Sequence, residues 1–210
     1  MQFGGQLTWS TDERCPYGRI HGLLGATTVS ALLDYVVEHQ DAFTPGRVSE
    51  RGADGIRIEP AILQSRVMRG LGPFEQRVEA VMRAVAPVAV QRLGLLESAF
   101  EPRGFEFASY GDGGYFKLHI DTSRSKDLRI LSCIYYFAVT PRRFSGGELR
   151  LHGFPMPGTR RPIIDIAPET DMLVMFPSWM EHEVLPVQVP SGAWMDHRFS
   201  FNCFIHRTDR

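Results

Sequence analysis

Apolar positions in the first third of the chain recur at helical spacing. Thr27-Thr28-Val29-Ser30 leads into Leu32, Leu33, Val36 and Val37, an i, i+1, i+4, i+5 stripe that fits one face of an α-helix. Residues 43–58 break the pattern with Pro45, Gly46, Gly52 and Gly55, which predicts an exposed loop. Pro73 suits the opening of a second helix running to about Leu93, since proline at the first helical position costs no hydrogen bond. Val78, Val81, Met82, Val85 and Val88 to Val90 form its apolar side. Pro87 lacks an N–H and is expected to kink or divide this helix. Gly94 is expected to end it.

Beyond Gly94 the apolar period shortens. Strands are predicted over residues 105–110, 115–121, 130–137, 148–152, 162–166, 172–176, 183–187 and 198–206. Turn signals separate them: Gly111-Asp112-Gly113-Gly114, Gly146-Gly147 and the proline-rich Phe154 to Pro162. Many short strands with Gly/Pro punctuation imply a sandwich or barrel. The expected fold class is mostly β with N-terminal helices: a jelly roll supported by α-helices on one face. It is read as a single domain over residues 1–210, with helical support over about 20–95 and the β core over about 100–206.

Composition narrows the function classes. Of 210 residues, 43% are apolar and 22% charged, so the chain can bury a core. The 23 Lys and Arg nearly balance 24 Asp and Glu, a net charge of −1 that gives no field to attract a polyanion. No nucleic-acid partner and no membrane partner are therefore expected; the charge-free stretch 21–33 is too short to span a bilayer. Met1-Gln2-Phe3-Gly4 has neither a basic nor an apolar leader segment. Cys15, Cys133 and Cys203 are odd in number, far apart and without a C-x-x-C pair, so buried thiols in a reducing cytoplasm are expected.

Chemistry enters with Tyr115-Phe116-Lys117-Leu118-His119-Ile120-Asp121. Strand alternation turns His119 and Asp121 to one face. An imidazole and a carboxylate there can chelate a metal, and His182 supplies a third ligand. Two histidines and one carboxylate on one face of an octahedron leave three positions open, the pattern of non-haem Fe(II) oxygenases. An ion pair or a solvated strand face is the alternative reading of His-x-Asp. Further on, Arg198, Ser200 and Asn202 share a face while Phe199, Phe201 and Cys203 take the other. A guanidinium directed into a barrel needs an anionic partner. A dicarboxylate cosubstrate or a barrel carboxylate would each serve.

At this point the sequence resembles the 2-oxoglutarate- and Fe(II)-dependent dioxygenases of the prolyl 4-hydroxylase-like type, including the hypoxia-sensing prolyl hydroxylase branch. The resemblance rests on ordered blocks. They are Tyr110-Gly111 before Gly113-Gly114-Tyr115-Phe116, His119-Ile120-Asp121, and Arg129-Ile130-Leu131-Ser132 leading to Tyr135-Tyr136-Phe137. Phe144-Ser145-Gly146-Gly147-Glu148-Leu149, Leu173 to Phe176, His182 to Val187 and Arg198-Phe199-Ser200 follow. It implies a double-stranded β-helix of cupin-like type. It implies Fe(II) on His119, Asp121 and His182, and 2-oxoglutarate on Arg198 and Ser200, with Tyr135 and Tyr110 beside it. Arg129 and the loop carrying Trp194 are implied on the substrate side. No catalytic group beyond the metal ligands is implied.

The implied activity uses O2 to hydroxylate an amino acid, a peptidyl residue or a natural-product intermediate, releasing succinate and CO2. Asp121 disfavours the related halogenases, which carry a small residue there. The interval from Gln188 to His197 is longer than the family's usual one. Loops 46–56, 122–127 and around Trp194 are the candidates to cover the substrate. The alternatives are a nucleic-acid demethylase of the same superfamily, a non-catalytic jelly-roll binding module with an internally paired Arg198, and a zinc hydrolase with a general base beside the metal.

Overall fold

A computed structural model describes residues 5–49, 56–95, 99–122 and 128–208. In chain order the elements begin with β1 (Gln6–Trp9), β2 (Gly18–His21) and α1 (Ala26–Glu38). Short strands follow: β3 (Thr44–Pro45), β4 (Val48–Ser49), β5 (Ile56–Arg57), β6 (Leu63–Gln64) and β7 (Arg66–Arg69). Then come α2 (Glu75–Arg92), β8 (Phe100–Tyr110), β9 (Tyr115–His119), β10 (Arg129–Phe137), β11 (Ser145–Gly146) and β12 (Leu149–His152). The chain closes with β13 (Ile163–Ile166), β14 (Met172–Pro177), β15 (Glu181–Val184), β16 (Val187–Gln188) and β17 (Arg198–Arg207).

Two sheets face each other as a jelly roll. The major sheet has the order β1-β2-β14-β10-β17-β8-β7-β3 and the minor sheet β13-β12-β15-β9-β6. Alternate positions of β10, β14 and β17 share a face. Leu131, Tyr135, Phe137, Phe199, Phe201, Leu173 and Met175 pack in one core with Leu32 and Val36 of α1 and Val78, Met82 and Val85 of α2. The opposite positions of the same strands face the minor sheet. One surface of the major sheet is thus sealed by helices, which leaves the other free to carry polar side chains around a cavity.

The helices form where the apolar period predicts. In α2 the buried set is Val78, Met82, Val85, Ala86, Ala89 and Val90, while Val88 is exposed because it falls outside that stripe. Pro87 does not divide the helix: α2 runs unbroken to Arg92. Gly94 closes it at φ +66°. The Leu95 N–H donates to Val90 O (3.0 Å) and the Gly94 N–H to Gln91 O (3.2 Å), a Schellman ending that glycine permits.

The N-terminal third differs from its sequence reading. It contributes β1, β2, β7 and β3 to the edges of the major sheet and β6 to the minor one. These strands are two to four residues long, too short for a period to register. Residues 50–55 of the expected loop lie outside the described residues. Among the described residues, no helix is long and apolar enough to cross a membrane.

Asp171 ties the helical layer to the sheet. It sits at φ +58° just before β14. Its carboxylate accepts the N–H groups of Leu24 (2.8 Å) and Gly25 (2.9 Å) at the start of α1 and the Tyr135 hydroxyl (2.7 Å). It does the work of an N-cap from a distant loop. Asp171→Ala is expected to cost about 2–4 kcal/mol, since it strands one buried hydroxyl and two helix-end donors. Asp171→Asn, which tolerates the left-handed conformation and keeps one acceptor, should cost less. Urea unfolding of both variants checks the ranking.

Candidate metal centre

The site is built by register. His119 on β9 and His182 on β15 are directly paired across adjacent antiparallel strands. A bulge follows at once, because Val184 pairs with Phe116. The extra residue on β9 resets its alternation. Phe116 and His119, three positions apart, therefore both line the cavity, and their rings stack at 3.5 Å. Leu118 is left exposed.

Both rings are locked. His119 Nδ1 lies 2.9 Å from Lys117 O, and His182 Nδ1 lies 2.9 Å from Met180 O. A carbonyl only accepts, so each Nδ1 carries a proton, and in the neutral ring Nε2 is left with the lone pair. Those Nε2 atoms lie 3.7 and 3.5 Å from the Asp121 carboxylate oxygens. One ligand atom from each residue lies within 4.8 Å of the other two. Burial, with His182 beside it, pushes the His119 pKa down to about 3; Asp121 and the Lys117 carbonyl oppose the shift without cancelling it. His119 is therefore a neutral donor at neutral pH.

Asp121 lies beyond the end of β9 and is held from the other sheet. Its N–H donates to Ser178 O (3.0 Å). Its Oδ2 accepts from Ser132 Oγ at 2.6 Å, and Ser132 is 3.0 Å from Ser178 Oγ. Two imidazole lone pairs and a carboxylate converging on one point fit a divalent cation of Fe(II) type. Neither glutamate beside His182 faces that point: Glu183 pairs with His152 at 2.9 Å and Glu181 with Arg161. The general base of a hydrolase is absent from these two positions.

Arg198 lies on the inner face of β17, 1% exposed. Its Nε donates to Gly147 O (2.7 Å). Its guanidinium lies over the rings of Tyr110 and Tyr136, 4.8 Å from each centroid. Its Nη2 has no hydrogen-bond partner among the described residues. A buried cation with an unanswered donor fits an incoming carboxylate. Gly147 permits this approach: at φ +71° a Cβ there would stand 2.6 Å from Arg198 Cδ. Burial pushes the Tyr110 pKa up to about 12 against the pull of Arg198, so its hydroxyl stays protonated.

The structure brings together His119, Asp121, His182, Arg198, Ser200, Tyr110 and Arg129 around one cavity of about 600 Å3. It does not bring Tyr135 or Trp194 there. Tyr135 points to the helical side of β10, bonded to Asp171 and stacked 4.7 Å from Phe201. Its neighbour Tyr136, paired with Ser200 across β10 and β17, is the tyrosine beside Arg198. Two adjacent tyrosines give no apolar contrast to set their parity, although counting from Ser132 would have selected Tyr136. Trp194 donates Nε1–H to Val36 O on α1 (2.9 Å) and packs 5.0 Å from Phe43. The long interval before Arg198 is thereby pinned to the helical layer, and the loop is an anchor there. Of the remaining candidate loops, residues 123–127 lie outside the described residues. Ser132, Tyr136 and Glu106 are site-side residues to which the sequence reading gave no role; Asn202 it placed on the Arg198 face, where it lies.

Comparison with known proteins agrees with the resemblance read from the sequence. Residues 105–206 match the 2OG-Fe(II) oxygenase superfamily. An uncharacterized PKHD-type hydroxylase of Synechocystis is 30% identical over 146 residues, covering 64% of this chain and 48% of that protein. The chain thus spans about half the length of this curated relative. A prolyl-4-hydroxylase of Pseudomonas putida has a similar structure, with TM-score 0.66, 23% identity and coverage of 92% of this chain and 93% of that one. A Trichoplax adhaerens prolyl hydroxylase, solved with a hypoxia inducible factor peptide fragment, gives TM-score 0.64, 18% identity and coverage of 91% and 83%. These likenesses establish the jelly-roll fold.

Ser132→Ala removes the hydrogen bond that orients Asp121. It is expected to weaken divalent metal binding about 10-fold to 100-fold, read by anaerobic Fe(II) titration or by electron paramagnetic resonance with Mn(II). Unchanged affinity would show that Asp121 is held by its backbone alone.

Proposed function

Taking residues 105–206 as a 2OG-Fe(II) oxygenase core, we propose that the chain is an Fe(II)- and 2-oxoglutarate-dependent dioxygenase. The proposed reaction converts substrate C–H, 2-oxoglutarate and O2 into C–OH, succinate and CO2. The substrate is an amino acid, a peptidyl residue or a related natural-product intermediate. One observation carries the reading: a buried guanidinium with an unanswered N–H faces the same cavity as a converging His-Asp-His set.

His119, Asp121 and His182 would hold the metal. Arg198 would take the far carboxylate of 2-oxoglutarate, with Ser200 next along the inner face of β17. When bound, the metal and its cosubstrate supply the oxidising chemistry. The protein's own task is positional. The two Nδ1–H···O=C bonds fix both imidazoles before any ligand arrives. Ser132 holds the Asp121 carboxylate from the opposite sheet, and the Ser178 carbonyl holds its backbone N–H. Tyr110 and Tyr136 restrict the guanidinium to one orientation, so little side-chain entropy is lost when an anion docks. Phe116, Leu63 and Val184 line the cavity and help keep bulk water from it.

His119→Ala is expected to abolish 2-oxoglutarate-dependent succinate release. Arg198→Ala is expected to raise the KM for 2-oxoglutarate by about 100-fold or more, as the loss of a desolvated charge partner costs several kcal/mol. Tyr136→Phe should raise that KM several-fold, whereas Tyr135→Phe should lower thermal stability and leave the KM unaltered. Succinate assays and thermal unfolding on the same four variants test the assignment. Full turnover by both His119→Ala and Arg198→Ala would defeat it.

A further inference from the structure

The inner face of the major sheet carries a second charged group that neither the metal nor the cosubstrate uses. Glu106 on β8 faces the cavity. In register it lies between Arg69 on β7 and Asn202 on β17, with Ile134 next along the row on β10. Burial pushes its carboxyl pKa up; the Asn202 amide and the charge of Arg69 offset this only in part, and Asp121 adds to it. Among the described residues no Lys or Arg stands within ion-pair distance of Glu106. Arg69 and Arg47, exposed at the cavity rim, have no acidic partner at that distance among the described residues either.

A half-buried acid and a guanidinium on paired strands face one cavity without meeting. The half-buried Glu106 carboxylate is better answered by an opposite charge than by the Asn202 amide alone, and Arg69, exposed at the rim, stands at the paired position. Paired positions on adjacent strands sit about 5 Å apart at their Cα atoms. Side chains rising from two such positions into one cavity can reach an ammonium and a carboxylate carried on one carbon. We propose that Glu106 and Arg69 are the specificity-determining pair for the primary substrate, and that this substrate is a free α-amino acid: its ammonium docks on Glu106 with Asn202 alongside, and its carboxylate on Arg69. A peptidyl residue has neither charge at its α-carbon and would leave both groups unanswered. The proposal rests on the dioxygenase reading and chooses among its substrate classes.

The test uses the full chain with Fe(II) and 2-oxoglutarate. The twenty proteinogenic L-amino acids are scored for extra succinate and for a product one oxygen heavier. Each active amino acid is then compared with its N-acetyl and amide derivatives, and with a short peptide containing it. At least one free amino acid is expected to be active, with kcat/KM about tenfold or more above each derivative, the difference a lost ionic partner makes. Glu106→Gln is expected to raise the KM for the free amino acid about tenfold with a smaller change in kcat, and to shrink its advantage over the N-acetyl form. Glu106→Asp should recover part of it. Saturation-transfer NMR of the same amino acid with metal-free protein gives a readout independent of turnover, and thermal unfolding reports whether each variant folds.

Equal activity of the N-acetyl form, a preferred peptide, or a panel with no active member overturns the proposal. An unchanged KM in a folded Glu106→Gln protein does so too. The underlying reading fails separately, and visibly, if anaerobic protein with Fe(II) and 2-oxoglutarate gives no visible charge-transfer band.

Discussion

Burying the Arg198 guanidinium constrains more of this molecule than any other single contact. A charge that deep is stable only with donors answered and faces covered. The structure answers Nε with the Gly147 carbonyl and covers the guanidinium with the rings of Tyr110 and Tyr136. Each partner comes from a different part of the fold: β8, β10 and the turn after β11. Gly147 must be glycine for the carbonyl to come this close. Three strands and a turn are thus held in register around one cation. The donor left over points to the chemistry, since what remains unanswered inside the protein is what a dicarboxylate would answer.

The metal set depends on a different device. His119 and His182 face one another because β9 and β15 pair there, so their approach follows from sheet geometry. Their lone pairs are aimed by carbonyls within their own strands or turns. The third ligand is held across the barrel, by Ser132 of β10 and the backbone of Ser178. The centre therefore ties the minor sheet to the major one. The face of β17 that carries Arg198 and Ser200 carries Asn202 next, beside Glu106 on β8. One inner surface thus carries, in successive rows, a buried cation with an unanswered donor and a polar pair.

The helical layer makes this possible. Because α1 and α2 cover the outer face of the major sheet, Phe199, Phe201 and Ile205 supply burial there, each worth about 1.5–3 kcal/mol. The alternate positions are released from that duty and can be polar. Asp171 and Trp194 lock the layer in place, one at each end of α1.

Local rules reach as far as the chain's own neighbours. The helix periods, the strand spacing after Gly94, the His-x-Asp spacing and the parity of Arg198 and Ser200 are all properties of consecutive residues and so are legible without the fold, whereas Asp121 is brought to His119 by Ser132 and Ser178. Other features are settled only by a partner distant in the chain. The strands β1, β2, β3, β6 and β7 exist because edges of the two sheets receive them. The bulge beside His119 is set by β15. The choice of Tyr136 over Tyr135 is set by pairing with Ser200, and Trp194 leaves the cavity because the Val36 carbonyl and Phe43 offer it a better place. Alternation says that neighbours point apart, but only tertiary pairing decides which of them points inward.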